Sequence, residues 1–406
     1  MNKLKDLILF CPGPVNVAQN VWQSLHTHIG HREEEFSELM GRLHKSILDV
    51  FEIQQQSKYH PIVITGSGTA ANEAVLSSLE KKKHILVLIN GEFGERLYNI
   101  SKLHNRNTHK VVFNCAEAID TTKVDVYLQK HKTDVVVMVH HETSTGMLNP
   151  VAAIGKLTKK YGLQFFVDTI SSATAEKIDI EKWNITFCTT SSGKAIGALP
   201  GVGIIIGEKK AFESLKDAPR TTMYLNLYSH YHYSNTLQQT QNTPALHLFS
   251  ALDQALGNIL EIGVQERRKI IAERAFILRN GMKRLGFRFL LDEHGAAAMS
   301  SVLTTVMLPS YLRADVLKEK LKERRIVIYN GKGPLLDKVF QVANIGELTK
   351  HDLMYFLHTL EKICLEVKRE QMRDHTEVST VAPAGRFAFL TTHFHLPLNR
   401  SKTNNI

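Results

Sequence analysis

Long hydrophobic runs are missing from this chain. The longest apolar stretches, such as Val135 to Val139, fall well short of the roughly 20 residues that a membrane-crossing helix requires. The N-terminal segment MNKLKDLILFCPGP has no extended apolar core and no small-residue cleavage site, so no secretory leader is expected and a cytoplasmic setting is. Cysteine is scarce. Cys11, Cys115, Cys188 and Cys364 lie far apart with no CxxC pair, which fits buried reduced thiols better than a disulfide framework or a zinc site. There is no zinc-finger or RNP-type motif, no P-loop, no complete GxGxxG fingerprint and no internal repeat.

Charge of neither sign is concentrated. Lys and Arg number 50 against 40 Asp and Glu, a formal charge of +10, yet the basic residues are interleaved with acids, as in Glu266-Arg267-Arg268-Lys269. That pattern reads as solvated helix faces, so neither nucleic acid nor membrane is an expected partner. The positive field suits a small anionic substrate instead.

What is present is a globular composition, 43% hydrophobic and 22% charged over 406 residues, enough for a full core and two domains. An irregular arm is expected over 1–20, where Pro12-Gly13-Pro14 bars regular structure. Phe36, Leu39, Leu43, Ile47 and Val50 then recur at helical spacing. The apolar strand Ile62 to Thr65 runs into Gly66-Ser67-Gly68-Thr69 and a helix from Ala70. A glycine turn opening a helix points backbone N–H groups at one spot, where a phosphate is held well. Strand and helix alternate again through His84 to Ile89, the turn Asn90 to Gly94, the strand Asp134 to His140, the loop His141-Glu142-Thr143-Ser144-Thr145-Gly146, and a helix closed by Gly162. Such alternation predicts an α/β fold with a mainly parallel sheet flanked by helices. Ligands in such sheets bind beyond the carboxyl ends of the strands, and each polar cluster named here lies at one.

The stretch Gln164 to Gly207 is the centre of this pattern. A strand ends in Asp168, and Lys194 stands among small residues in Ser191-Ser192-Gly193-Lys194, between two apolar runs. A lysine so placed gives a bulky planar group access to its amine, which is what an internal Schiff base needs. Past residue 260 the texture changes to a basic helix, strands at Val302 to Leu308, Ile326 to Tyr329 and Val339 to Ala343, and a last helix opened by the Thr349 to Asp352 capping pattern. The expected division is an arm over 1–20, a large domain over 21–260, a smaller C-terminal α/β domain over 261–366 and a loosely ordered tail over 367–406. His393 and His395 in the tail lack further ligand partners and are read as incidental.

In order and spacing these motifs resemble those of the fold-type I, class V aminotransferases, most closely the 2-aminoethylphosphonate:pyruvate group. The alanine–glyoxylate and serine–glyoxylate enzymes are more distant relatives. The resemblance runs from about Ile8 to Leu365 and includes Pro12-Gly13-Pro14, GSGT, NGEFGER, HETSTGMLNP, VDTISS, the Lys194 loop, Thr243-Pro244 and Asn344-Ile345-Gly346-Glu347.

It implies pyridoxal 5′-phosphate as cofactor, a small amine and a 2-oxo acid as substrates, and a transamination. Lys194 resembles the cofactor-linking lysine, and Asp168 the carboxylate that faces the ring nitrogen. Ser67, Gly68 and Thr69 resemble the phosphate cradle, Phe93 the ring stacked on the cofactor, and Thr143 the group near the ring oxygen. Thr243 resembles a residue that reaches the neighbouring subunit's cofactor, which implies a homodimer with shared sites.

One position departs from the family: Gln341 stands where an arginine that clamps a substrate carboxylate is expected, and the amide loses a charge-assisted pair of about 1.5–3 kcal/mol. Arg32 is a candidate to supply the missing charge. Altered substrates of the glyoxylate type, or a lyase or desulfurase reaction on the same cofactor, are the alternatives.

Overall fold

The computed structural model describes residues 7–26, 28–218 and 221–380. Met1–Cys364 forms one compact unit and Leu365–Ile406 a second, so the ranges 21–260 and 261–364 fall in the same unit. The chain begins with β1 (Ile8–Leu9), α1 (Gln19–Gln23), α2 (Glu34–Val50), β2 (Tyr59–Thr65), α3 (Gly68–Ser78), β3 (Ile85–Ile89), α4 (Glu92–His104), β4 (Thr108–Val112) and α5 (Thr121–Lys130). It continues through β5 (Val135–Val139), the short pair β6 (His141–Glu142) and β7 (Met147–Leu148), α6 (Val151–Lys160), β8 (Gln164–Asp168), β9 (Phe187–Ser191), β10 (Val202–Glu208) and α7 (Lys209–Glu213).

Seven strands form the central sheet in the order β2-β10-β9-β8-β5-β3-β4. All run parallel except β10, which is antiparallel to both β2 and β9. The inner strands β3, β5 and β8 are mostly apolar because both faces are covered, whereas the edge strand β4, Thr-His-Lys-Val-Val, is largely exposed. Successive residues alternate between two cores: Val63, Leu86, Leu88, Val136 and Met138 pack on one face, and Ile62, Val87, Ile89, Val137 and Val139 on the other. α2 closes the first core with Phe36, Leu39, Leu43 and Ile47, each 2% exposed or less, at the spacing that puts them on one helix face.

The remaining elements are α8 (Leu227–Leu237), α9 (Leu246–Ile262), α10 (Val264–Arg284), β11 (Leu303–Met307), α11 (Ala314–Glu323), β12 (Ile326–Val327), β13 (Tyr329–Asn330), β14 (Val339–Ala343) and α12 (Lys350–Thr380). A three-stranded antiparallel sheet, β11-β14-β13, forms here.

Three details differ from the sequence expectation. Ile8–Leu9, expected to be irregular, pairs in parallel with Ile326–Val327, a partner far along the chain. α12 continues past Val367 to Thr380, because LEVKREQMR consists almost wholly of strong helix formers; His393 and His395 lie outside the described residues. Of the four free cysteines three are buried, but Cys115 is exposed, since it lies in the loop that follows β4 rather than on an element facing a core.

Two histidines, His60 buried and His44 half-buried, give the fold a pH dependence. His60 Nε2 and His44 Nε2 both meet the Ser234 hydroxyl, at 2.8 and 2.9 Å. That hydroxyl has one proton to give, so it donates to one ring and accepts from the other. Burial pushes the His44 imidazole down to about 4 and, with the neighbouring His44 and Lys209, His60 down to about 2. The unfolded chain therefore takes up protons first on acidification. Their contribution to stability is complete above the unfolded value of about 6.5 and is lost as pH falls from there toward 4, at about 1.4 kcal/mol per pH unit for each group. Urea unfolding midpoints measured from pH 8 to 4 are expected to stay level above pH 7 and to drop below 6.5. A His44→Gln variant is expected to show a shallower drop.

Candidate active site

The carboxyl ends of β2, β3, β5, β8 and β9 meet at a cavity of about 270 Å³. Each of these five strands delivers one segment there. The turn after β2 brings Ser67, Gly68 and Thr69; α4, which follows β3, brings Phe93 and Arg96; the loop after β5 brings His141. β8 ends on Asp168, and the turn after β9 brings Lys194. Gly13 and Pro14 of the N-terminal segment form part of the wall.

Asp168 is 4% exposed. Asn72 Nδ2 donates to its Oδ2 at 2.7 Å and the Ile170 N–H to its Oδ1 at 2.8 Å; Thr189 Oγ1 in turn donates to Asn72 Oδ1 at 2.6 Å. Neither partner of the acid is charged. Burial raises its pKa, while these hydrogen bonds and the nearby Arg96 and Lys194 act against that rise. A buried carboxyl held by two neutral donors gains from any cation placed against it.

Lys194 has its pKa lowered, first by burial and then by Lys332 and Arg96, with Asp168 and Cys11 opposing. A desolvated lysine surrounded by other cations yields its proton more readily and becomes a nucleophile. Gly13, at φ +140°, lies against it: a Cβ there would stand 2.8 Å from Lys194 Nζ and 2.9 Å from the Gly193 carbonyl, so only glycine lets the arm approach the amine.

At the cavity wall formed by Ser67, Gly68 and Thr69, α3 opens with no side-chain cap from Ser67. Its first-turn N–H groups face an anion site of the kind helix N-termini provide. Phe93 presents its ring to the cavity, with the Arg96 guanidinium 4.6 Å from the ring centroid. A planar ring between Phe93 and the Lys194 loop, an anion at α3 and a cationic ring nitrogen at Asp168 together match the donors of this cavity, and a pyridoxal phosphate meets all three requirements.

Six of the residues singled out in the sequence, Ser67, Gly68, Thr69, Phe93, Asp168 and Lys194, thus line one cavity. The other four do not line it. Thr143 is 5% exposed, and its carbonyl accepts from Gln341 Nε2 at 2.7 Å. Gln341, 5% exposed on β14, also donates to the Ser144 carbonyl at 3.2 Å. Arg32 is exposed and donates to the Thr240 carbonyl at 3.3 Å. Thr243 is exposed on the segment that precedes α9.

Asn72, Arg96 and His141 line the cavity without having stood out in the sequence. Asn72 sits inside a helix with no motif to mark it, and Arg96 closes the NGEFGER run, in which only Phe93 was given a role. His141 belonged to a loop read only as polar; burial holds its imidazole down to about 4, and its Nε2 has no protein partner.

Gln341 supports a direct test of its structural duty. Gln341→Leu strips two buried carbonyls of their donor and is expected to destabilise the fold by about 1–3 kcal/mol, read from urea unfolding. A loss below about 0.5 kcal/mol would show that the two carbonyls do not depend on it.

The family model for class-V aminotransferases matches residues 16–343. A protein from Methanocaldococcus jannaschii described as an uncharacterized aminotransferase is 29% identical over 92% of this chain and 96% of its own length. The 2-aminoethylphosphonate–pyruvate transaminase of Phocaeicola vulgatus is 29% identical over 89% of this chain and 99% of its own. Among solved structures, the pyridoxamine–pyruvate aminotransferase of Mesorhizobium loti shares the fold with a TM-score of 0.84 at 22% identity, covering 91% of this chain and 94% of that one.

Proposed function

The chain belongs to the class-V aminotransferases, which are pyridoxal phosphate enzymes, and from that premise we propose that it moves the amino group of a small amine to a 2-oxo acid. 2-Aminoethylphosphonate is the leading donor and pyruvate the leading acceptor. The observation that carries this reading is the convergence of Lys194, Asp168 and the α3 N-terminus on one cavity. The Phocaeicola vulgatus relative supports the substrate pair, and the cations Arg96 and Lys332 close to Lys194 suit a donor bearing an anion.

In this reading Ser67, Gly68 and Thr69 hold the cofactor phosphate, Phe93 covers the ring, Asp168 faces the ring nitrogen, Thr143 serves the ring oxygen and Lys194 links to the aldehyde carbon. When bound, pyridoxal phosphate supplies an electron sink for the pair left behind as a proton departs from the carbon next to the amine. Asp168, as a carboxylate, keeps the ring nitrogen protonated. Lys194 Nζ takes the proton from that carbon and returns it on the other side of the nitrogen, which a neutral amine held in the cavity wall can do. Thr243, exposed and not among the residues that line this cavity, fits a role in the site of a second copy of the chain; the proposed working unit is a homodimer, and the proposed setting is cytoplasmic. Arg32 is the proposed source of positive charge for the substrate.

One observation favours substrates other than the leading pair. Gln341 is neutral, and its amide is engaged with the Thr143 and Ser144 carbonyls, so it offers no clamp for a carboxylate. Cofactor-loaded protein supplied with 2-aminoethylphosphonate and pyruvate should form alanine, measured by chromatography, with no alanine when either substrate is withheld. Faster turnover with alanine or serine and glyoxylate would move the reading to the glyoxylate type. Product released from the amine without any oxo acid would replace it with a lyase or desulfurase.

A further inference from the structure

We infer that Glu142 is a positioning residue for the cavity: its buried carboxylate holds the first turn of α4 and so fixes where the Phe93 ring stands. The inference rests on the reading of this cavity as the cofactor site.

Glu142 is 0% exposed. Its Oε2 accepts from the backbone N–H groups of Phe93 and Gly94, each at 3.1 Å, and its Oε1 from Phe93 N at 3.3 Å and Ser144 N at 3.2 Å. The Ser144 hydroxyl also donates to Oε1, while accepting from the Glu92 N–H at 3.2 Å. The N-cap of α4 is Gly91, which has no side chain to offer. The cap therefore comes from another loop, the one that follows β5. A carboxylate there satisfies otherwise orphaned N–H groups and meets the positive end of the helix dipole.

Gly91 makes the contact possible. A Cβ at that position would run into the Glu142 carboxylate and stand 2.6 Å from Ser144 Oγ. A serine or asparagine as N-cap would cap a helix from within without burying a charge, and burying one is costly unless it is fully paired. What the distant acid adds is registry: it ties the turn carrying Phe93 and Arg96 to the loop carrying His141, and all three residues line the cavity. All of its bonds to α4 go to backbone N–H groups, so the ring is held through its main chain and its face stays free for a ligand.

The test uses Glu142→Gln, which keeps the size and one acceptor oxygen. Titration with pyridoxal phosphate is expected to show a dissociation constant raised roughly tenfold, equivalent to about 1.4 kcal/mol. Phe93→Ala alone should weaken binding as well. Adding Glu142→Gln to Phe93→Ala should cost less than about twofold more, because residues acting through one group are not additive. Full additivity would overturn the inference.

A second readout needs no cofactor. In Phe93→Trp protein, Glu142→Gln should increase acrylamide quenching above the background of the two native tryptophans, and unchanged quenching would overturn the inference. Wild-type protein with no affinity for pyridoxal phosphate would sink the cofactor reading instead, leaving the tryptophan comparison to decide on Glu142. Should Glu142→Gln fail to fold, Ser144→Ala, which removes only the hydroxyl donor, is put through the same measurements.

Discussion

Lys194→Ala is expected to lower kcat for amino transfer by about 10³-fold or more, since positioned proton transfer alone is worth roughly 10²–10⁴-fold and the same amine is proposed to link to the cofactor. The argument begins with its surroundings. Burial disfavours the ammonium, and Lys332 and Arg96 add repulsion, so the proton is released at a lower pH than from an exposed lysine. The Gly13 backbone and the Gly193 carbonyl confine the side chain, which limits where its nitrogen can reach. Arginine at this position should be as inactive as alanine, because a guanidinium does not give up its proton. Stability should be unchanged or slightly higher in the alanine variant, since a desolvated charge is removed, so a loss of rate with an unshifted unfolding midpoint isolates the chemistry. A Lys194→Ala enzyme within tenfold of the parent kcat at saturating substrate would remove this residue from the mechanism.

The second large effect belongs to Asp168. Asp168→Asn keeps the shape of the side chain and deletes its charge, and it is expected to lower kcat/KM by about 10²–10³-fold, the scale seen when one preorganised electrostatic contact at a developing charge is lost. The structure opposes this charge with burial and supports it with hydrogen bonds from Asn72 and the Ile170 N–H and with the nearby Arg96 and Lys194, burial prevailing. A buried carboxylate whose support does not match its desolvation costs stability, so the asparagine variant of the cofactor-free protein should unfold at the same urea concentration or a higher one. Activity falling while stability holds or rises is the pattern of a residue kept for function. Asn72→Ala, which removes one donor to the carboxylate, should follow in the same direction with a smaller loss. If Asp168→Asn instead lost stability and retained its rate, the carboxylate would be a structural cap of the turn to Ile170.

Most of the sheet could be read from the sequence because its inner strands are short apolar runs closed by polar turn residues, and the two periods of strand and helix are distinct; the edge strand β4, Thr-His-Lys-Val-Val and largely exposed, carries no such run and was not read. Asp168 and Lys194 announced themselves in the same way, as chemistry-bearing residues just past apolar runs, and the parallel register of β8 and β9, with Asp168 opposite Thr189, places both at one end of the sheet. Asn72 was not legible, since a polar residue on a helix carries no mark of what its face will meet; Arg96 lay within the NGEFGER run, but nothing in the run tells that its guanidinium reaches the cavity. The contact of Gln341 with Thr143 was not legible either, because it spans 198 positions and no local pattern encodes such a pairing. The same holds for Ile8–Leu9, whose ladder partner, Ile326–Val327, lies in a different part of the chain. The four residues that do not line the cavity were drawn from the resemblance, and what they do is part of the proposal.

The pairing of β1 with β12 also has a consequence for how the protein is made. Gly13 and Pro14 reach the cavity wall on a segment whose neighbours are anchored by Phe10 N to the Val327 carbonyl at 2.9 Å, Ala343 N to the Phe10 carbonyl at 2.9 Å and Glu347 N to the Asn16 carbonyl at 2.9 Å. The segment 8–16 therefore has no seat until translation has passed residue 347. At about 5–20 residues per second, the central sheet is complete many seconds before the amine of Lys194 gains its last wall.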